Sequence, residues 1–323
     1  MLEKYIKNKR GRFVVRRVLR SIPVVLLATI IVFSLMHVSA GSPEEVARRK
    51  VGPEGTQEQI NQIIEENRLD RPIYEQYITW VKGIFEGDWG KSIRYDQPVT
   101  TILKERIPLT LQLMGFALLF SIILGITMGV IGALRQNTII DYIVTIQALF
   151  WRSIPSFWLG MMFILIFAVR FDLFPTGGYQ GLNYLILPAL VIGLRLQAII
   201  ARLTRSSMLN VLNKDYIKTA KTKGLSYHAV ILKHGLRNAL IPVVTVIALR
   251  LPWLFSGAMI TESVFSLPGM GRLIVLGVKK RDFPVIQGAV LIIVLTAIVA
   301  NLLADIIYTY VDPRIDIEGK GGG

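Results

Sequence analysis

Leu109-Thr110-Leu111-Gln112-Leu113-Met114-Gly115-Phe116-Ala117-Leu118-Leu119-Phe120-Ser121-Ile122-Ile123-Leu124-Gly125-Ile126-Thr127-Met128-Gly129-Val130-Ile131-Gly132-Ala133-Leu134 runs for 26 residues without a charged side chain. A helix needs about 20 mostly apolar residues to cross a hydrocarbon layer of ~30 Å, so this stretch can span with tilt. Composition agrees. Hydrophobic residues make up 52% of the 323-residue chain and charged residues 18%, below the roughly 25% of a soluble domain. Cysteine is absent, which excludes disulfide scaffolds, zinc ribbons, Cys-ligated clusters and thiol nucleophiles.

Working outward, five further apolar stretches predict spans at residues 22–38, 139–169, 184–203, 236–260 and 286–310. The first ends at Val38-Ser39-Ala40, which resembles a signal cleavage site, but the apolar run exceeds the usual h-region of about 7–15 residues. In the third, Arg152 and Pro155 interrupt the pattern. Proline removes a backbone donor and crowds the preceding turn, so a kink is expected at Trp151–Pro155. Arg195 and Arg202 weaken the fourth, Arg250 and Pro252 lie in the fifth, and the sixth carries Asp305. An arginine at mid-bilayer costs about 2.5–3.5 kcal/mol on the insertion scale, so Arg152 and Arg250 should face a cavity or partner. Asp305 is a candidate partner for one of them.

Residues 39–104 are polar. Thr56-Gln57-Glu58-Gln59 reads as a capping box opening a helix with Ile60, Ile63 and Ile64 on one face. Pro72 opens a second amphipathic stretch through Tyr77, Val81, Ile84 and Phe85, stopped by Gly87. Residues 262–284 read as a Gly/Pro-punctuated loop. The net charge of +15 is 37 basic minus 22 acidic residues. Residues 1–20 carry eight basic and one acidic residue (+7), and residues 195–237 carry nine and one (+8), together the whole excess. The positive-inside rule places both segments in the cytoplasm, the 39–104 cap outside, and the C-terminus, after six spans, back inside. Lys279-Lys280-Arg281 would lie outside in this topology, against the rule. A nucleic-acid surface would need this charge on one continuous face, whereas it is split between two segments.

Catalytic and metal motifs are absent. Gly90-Lys91-Ser92 would end a phosphate loop only if the residue five before Gly90 were glycine; it is Phe85. Of the three histidines, His228 and His234 are six apart, not the i, i+4 spacing of a helical zinc pair. There is no GxSxG elbow. The informative stretch is Asp215-Tyr216-Ile217-Lys218-Thr219-Ala220-Lys221-Thr222-Lys223-Gly224-Leu225-Ser226. It predicts a short helix with a glycine stop in the most basic connector. Ala220 and Gly224, four apart, would let another backbone approach closely. A helix lying on anionic lipid needs an apolar stripe, and Ile217 and Leu225 supply little of one, so the stretch reads as a protein-docking helix.

At this stretch the sequence resembles the permease subunits of binding-protein-dependent ABC importers, specifically the B-type subunit of the dipeptide/oligopeptide/nickel group. The likeness covers nearly the whole chain. It includes Leu69-Asp70-Arg71-Pro72-Ile73-Tyr74-Glu75-Gln76-Tyr77, Gly87-Asp88-Trp89-Gly90-Lys91-Ser92, Ile154-Pro155-Ser156-Phe157-Trp158-Leu159-Gly160 and Ala201-Arg202-Leu203-Thr204-Arg205. Further on it includes Leu236-Arg237-Asn238-Ala239-Leu240-Ile241-Pro242, Glu262-Ser263-Val264-Phe265-Ser266-Leu267-Pro268-Gly269-Met270-Gly271-Arg272, Arg281-Asp282-Phe283-Pro284-Val285-Ile286-Gln287-Gly288 and Asp312-Pro313-Arg314-Ile315.

The resemblance implies an all-α polytopic membrane protein: a type I ABC importer transmembrane domain of six transmembrane helices, with a partly helical extracytoplasmic cap and a cytoplasmic coupling helix. The expected divisions are residues 1–38 (basic arm and first span), 39–104 (cap), 105–315 (permease core, coupling helix at about 215–228) and 316–323 (tail). Asp215, Lys218, Thr219, Ala220, Lys223, Gly224 and Leu225 are expected to meet an ATPase. Lys218-Thr219-Ala220 stand where the family's loop has Glu-Ala-Ala, so its glutamate is missing here. Arg152, Pro155, Arg250 and Trp253 are candidates for the translocation path, although related sequences usually have small residues near 250–253. Glu262, Phe265, Pro268, Gly269 and Gly271 are expected in an external gate or in docking of the binding protein. The implied partners are a second, C-type permease subunit, two ABC ATPases that bind ATP and Mg, an extracytoplasmic solute-binding protein and the lipid bilayer, with no nucleic acid. The chain itself is expected to be a non-catalytic subunit with no metal or cofactor, set multi-pass in a prokaryotic cytoplasmic membrane. The solute classes implied are dipeptides or oligopeptides, with nickel complexes or oligosaccharides as alternatives. A stand-alone secondary carrier would show matched half-helices at the midplane, and no such pairing is visible.

Overall fold

A computed structural model describes residues 9–52, 55–66 and 70–311. The start of the basic arm, Leu69, the Asp312-Pro313-Arg314-Ile315 motif and the 316–323 tail lie outside the described residues. The elements are α1 Lys9–Ala40, α2 Pro43–Val51, α3 Gln57–Glu66, α4 Ile73–Glu86, α5 Val99–Leu134, α6 Ile139–Ser153, α7 Ser156–Phe163, α8 Asn183–Leu212, α9 Asp215–Thr222, α10 Tyr227–Ala229, α11 Arg237–Val264, α12 Met270–Lys280 and α13 Phe283–Val311. Two π-helical segments, Ile164–Arg170 after α7 and Val230–Leu236 before α11, complete the helical order. No strand occurs among the described residues beyond an isolated bridge between Lys91 and Pro98.

Among the described residues, five stretches are long and apolar enough to cross a membrane: Val15–Ser34, Val99–Leu134, Asn183–Leu212, Tyr227–Val264 and Phe283–Asp305. Ile139–Ser153 and Ser156–Arg170 meet at a bend of 104° and make a sixth crossing when taken as one span. The bend falls at Ile154-Pro155, where Ile154 is extended (φ −78°, ψ 130°), as a residue before proline must be to clear its ring.

The chain forms two compact units. One comprises Leu19–Leu109 with Gly269–Thr296 and holds the cap. Its capping box forms reciprocally: the Thr56 amide donates to Gln59 Oε1 (3.0 Å) and the Gln59 amide to Thr56 Oγ1 (3.3 Å). Gly87 stops α4 in the left-handed region (φ 87°), its amide donating to Gly83 and Ile84 carbonyls. Val99, Ile102 and Leu103 of α5 pack with Met270 and Leu273 of α12 and Val285 and Ala289 of α13.

The 262–284 loop is corrected here: Met270–Lys280 is an 11-residue helix. Its Gly277 serves packing. A Cβ on Gly277 would come within 2.9 Å of Ile286. Lys279 and Lys280 occupy its last turn, where cations meet the negative end of the helix dipole. That gives these outlying charges a local reason.

Asp282, 1% exposed, fastens the cap loop. It accepts from Ser92 Oγ (2.5 Å), Ile93 N (3.2 Å) and Arg94 N (3.2 Å). Asp282→Ala leaves three donors without their acceptor, at a cost of about 2–3 kcal/mol. Tryptic cleavage at the exposed Arg94 should then accelerate by about tenfold or more, since the loop opens locally; an unchanged cleavage rate would contradict this role.

Candidate functional site

The site is built by the second unit, which contains Thr110–Pro268. Its base is the pairing of α5 with α8. A Cβ on Gly125 would lie 2.6 Å from Ile200, and one on Gly129 would lie 2.5 Å from Thr204 and 2.6 Å from the Ala201 carbonyl. Only glycine permits this approach, and small residues are how helices pack closely in lipid. Beside it, α6 is tied to α8 by an ion pair that sequence reading left unpaired. Arg205 Nε donates to Asp141 Oδ1 and Arg205 Nη2 to Oδ2 (2.6 Å), while the Asn137 amide adds a third bond at 3.1 Å. Asp141 is 3% exposed. A bidentate, fully bonded pair is the form in which a buried carboxylate is tolerated. The two residues are 64 apart in sequence, and the only signal was that both sit near ends of predicted spans.

From α8 the chain turns through Asn213 and Lys214 into α9. Ile217 and Ala220, both buried, pack on Val230 with Val211 and Leu212. The same Val211 and Leu212 adjoin a second cluster of Ala133, Met208, Ile231 and Ala239. So α9 is a short step standing on a packed base that reaches α5, α8 and α11. Its outer face shows Asp215, Lys218 and Thr219, followed by Lys223, Gly224 and Leu225, all exposed. Asp215 pairs locally with Lys218 at 3.0 Å. Gly224 has φ +75° and a Cβ there would meet nothing within 4 Å. Two expectations are corrected. The helix ends at Thr222 rather than running to 228, and Ser226 caps a new turn. Ala220 faces inward, so it anchors the step and is unavailable for close approach by another backbone.

The path candidates divide. Arg152 and Arg250 are exposed on α6 and α11, and neither pairs with a carboxylate among the described residues. Asp305 instead meets Arg17 at 3.1 Å. Pro155 begins α7 after the bend. Trp253 receives Arg195, whose guanidinium carbon lies 5.6 Å from the ring centroid, a cation–π contact between α8 and α11 that sequence reading missed. An apolar cavity of about 470 Å³ between α5 and α8 is lined by Phe116, Phe120, Leu185 and Ala189 among others, with Asn183 its one polar side chain. It has no charged group to greet a polar solute.

The gate residues are mostly internal. Glu262 is 0% exposed and accepts from Thr110 Oγ1 at 2.6 Å. Phe265 is buried, and its carbonyl accepts from the Gly178 amide at 2.9 Å. Gly269 and Gly271 are buried at the start of α12, and Pro268 is half-buried. Of these five, Glu262 and Phe265 have their side chains covered by this chain, and Pro268 stays partly accessible.

Residues 121–317 match the family described as binding-protein-dependent transport system inner membrane component, and residues 11–114 match the N-terminal family of the same membrane components. The oligopeptide transport system permease protein AppB of Bacillus subtilis (strain 168) is 39% identical over 315 residues, covering 94% of this chain and 99% of that protein. The dipeptide permease protein DppB of Escherichia coli (strain K12) is 36% identical over 337 residues, and the glutathione permease protein GsiC of the same strain 37% over 303; each comparison covers 94% of this chain and 98% of the relative. Among solved structures, an inward-facing MetNI methionine ABC transporter aligns with a TM-score of 0.54 at 18% identity, over 65% of this chain and 96% of that one. An amino acid ABC transporter with histidines aligns at 0.52 and 13%, over 65% and 94%. These two share the fold. The packed α-helical bundle, the short exposed step and the matched relatives agree, and the chain belongs to the family of binding-protein-dependent transport system inner membrane components.

Proposed function

We propose that this chain is the B-type permease subunit of an ATP-driven importer of dipeptides or oligopeptides. The names of the relatives support the solute class, and the step at α9 on its packed base carries the mechanical reading. It pairs with a C-type permease, and two ATPase subunits bind ATP and Mg. A solute-binding protein delivers the peptide from outside. The excess of basic residues in 1–20 and 195–237 supports a cytoplasmic N-terminus and connector, and six spans would return the C-terminus to the same side.

Closure of the ATPases on ATP displaces α9 through its outer face, Asp215, Lys218, Thr219, Lys223, Gly224 and Leu225. Ile217 and Ala220 pass the displacement to Val211, Leu212 and Val230. The Arg205–Asp141 pair carries it on to α6. Arg152, Pro155, Arg250 and Trp253 face the path, which alternates between outward and inward openings as a two-state equilibrium. The 262–271 segment moves as a gate.

Gly224→Trp tests the docking. The side chain enters open space, so the effect falls on the partner, apart from about 1 kcal/mol of backbone strain. The variant should insert in the membrane normally, fail to co-purify with the ATPases and lose ATP-dependent peptide uptake in proteoliposomes; normal co-purification would refute the docking face. In the same vesicles Arg250→Ala should change which peptides pass. Unchanged transport and selectivity would remove Arg250 from the path.

A further inference from the structure

Arg195 and Arg250 lie inside the hydrocarbon layer wherever that layer sits along their helices. Helix α8 has 30 residues and measures ~45 Å at ~1.5 Å per residue. A layer of ~30 Å crossed by α8 must include the segment from ~15 to ~30 Å along it. Arg195, twelve residues after Asn183, stands at ~18 Å. Helix α11 has 28 residues and measures ~42 Å, so its obligatory segment runs from ~12 to ~30 Å. Arg250, thirteen residues after Arg237, stands at ~20 Å.

The chain gives neither guanidinium a countercharge. Of the carboxylates on this unit's membrane-spanning helices, Asp141 is bonded to Arg205, Glu262 accepts from Thr110 and Asp305 pairs with Arg17. No ion pair among the described residues reaches Arg195 or Arg250. Arg195 is nonetheless held in place. Its guanidinium carbon lies 5.6 Å from the Trp253 ring centroid, a contact made through charge and ring face that leaves the N–H donors available. Arg250 precedes Trp253 by three residues on α11, which makes the two neighbours on the helix surface. The stack therefore sets Arg195 beside the strip of α11 that carries Arg250. Arg195 is half-buried and Arg250 exposed, so a guest can reach both.

Two unpaired cations in a layer poor in water demand negative charge, which lipid tails cannot supply. A carboxylate meets the demand by charge and by shape, since a guanidinium can grip both of its oxygens. We propose that Arg195, positioned by Trp253, and Arg250 form an anion site in the translocation path that receives the carboxylate of a passing peptide. The proposal rests on the peptide-import reading above, in which an unblocked solute brings a C-terminal carboxylate.

The test compares uptake of Ala-Ala-Phe with that of its C-terminal amide by the complete transporter in proteoliposomes. The same solute-binding protein is added throughout, so its own preference cancels between variants. Arg195→Gln should lower the acid-to-amide uptake ratio by about tenfold, the scale of a lost hydrogen bond to a charged group. Trp253→Leu should lower the ratio as well, whereas Trp253→Tyr, which keeps a ring face, should retain it. A ratio that stays unchanged or rises in Arg195→Gln would overturn the site, and equal loss of both peptides would assign Arg195 a structural role instead. Wild-type vesicles that import neither peptide with ATP would refute the peptide-import reading, and the site with it. If Arg195→Gln does not assemble or the amide is not delivered, a transported peptide ending in p-benzoylphenylalanine can be photo-cross-linked to the unmodified transporter. Adducts at residues 192–199 or 250–257 support the site. Adducts confined to other segments or to the second permease subunit contradict it.

Discussion

The contact on which the site depends is the approach of α5 to α8 at Gly125 and Gly129. In lipid no hydrophobic force drives helices together, since tails are as apolar as leucine; association rests on packing and on polar bonds. A Cβ at Gly129 would sit 2.5 Å from Thr204 and 2.6 Å from the Ala201 carbonyl, so any side chain would push the helices apart. With that approach in place, Arg205 meets Asp141 on α6, and the C-terminal half of α8 is fixed from two sides. Its Val211 and Leu212 then form the floor under α9.

Much of the fold was legible. Uncharged runs identified the spans because hydrocarbon tolerates few charges. Pro155 identified the bend because its ring forbids the preceding residue a helical conformation. Thr56 with Gln59, and Gly87, identified a helix start and stop because both act through local backbone bonds. What escaped was non-local. Asp141 and Arg205, and Thr110 and Glu262, are pairs brought together only by packing, and no spacing rule reaches 64 or 152 residues. Asp305 found Arg17 rather than Arg152 or Arg250 for the same reason. The α12 helix was hidden by glycines that look like breakers, of which Gly277 sits where Ile286 crowds the backbone. On α9, eight residues long, periodicity shows that Ile217 and Ala220 share a side but not whether that side faces the protein or a partner.

The charges now have three kinds of place. Asp215, Lys218 and Lys223 stand exposed on α9 and the turn after it. Asp141, Arg205 and Asp282 are buried and bonded, holding elements together. Arg152 and Arg250 are exposed on membrane-spanning helices, where solvation must come from a path or a second subunit. On the proposed function the first group would address the ATPases, while the second braces the bundle.

The central claim is that α9 works as a rigid step because Ile217 is seated in the packed base. Ile217→Ala removes that seat at a cost of about 2–5 kcal/mol without touching the outer face. The measurement is the amount of peptide transported per ATP hydrolysed by the complete transporter in proteoliposomes. The account predicts that the ATPases still bind and hydrolyse ATP while the transported amount per ATP falls. An unchanged ratio, with the ATPases bound, would contradict it.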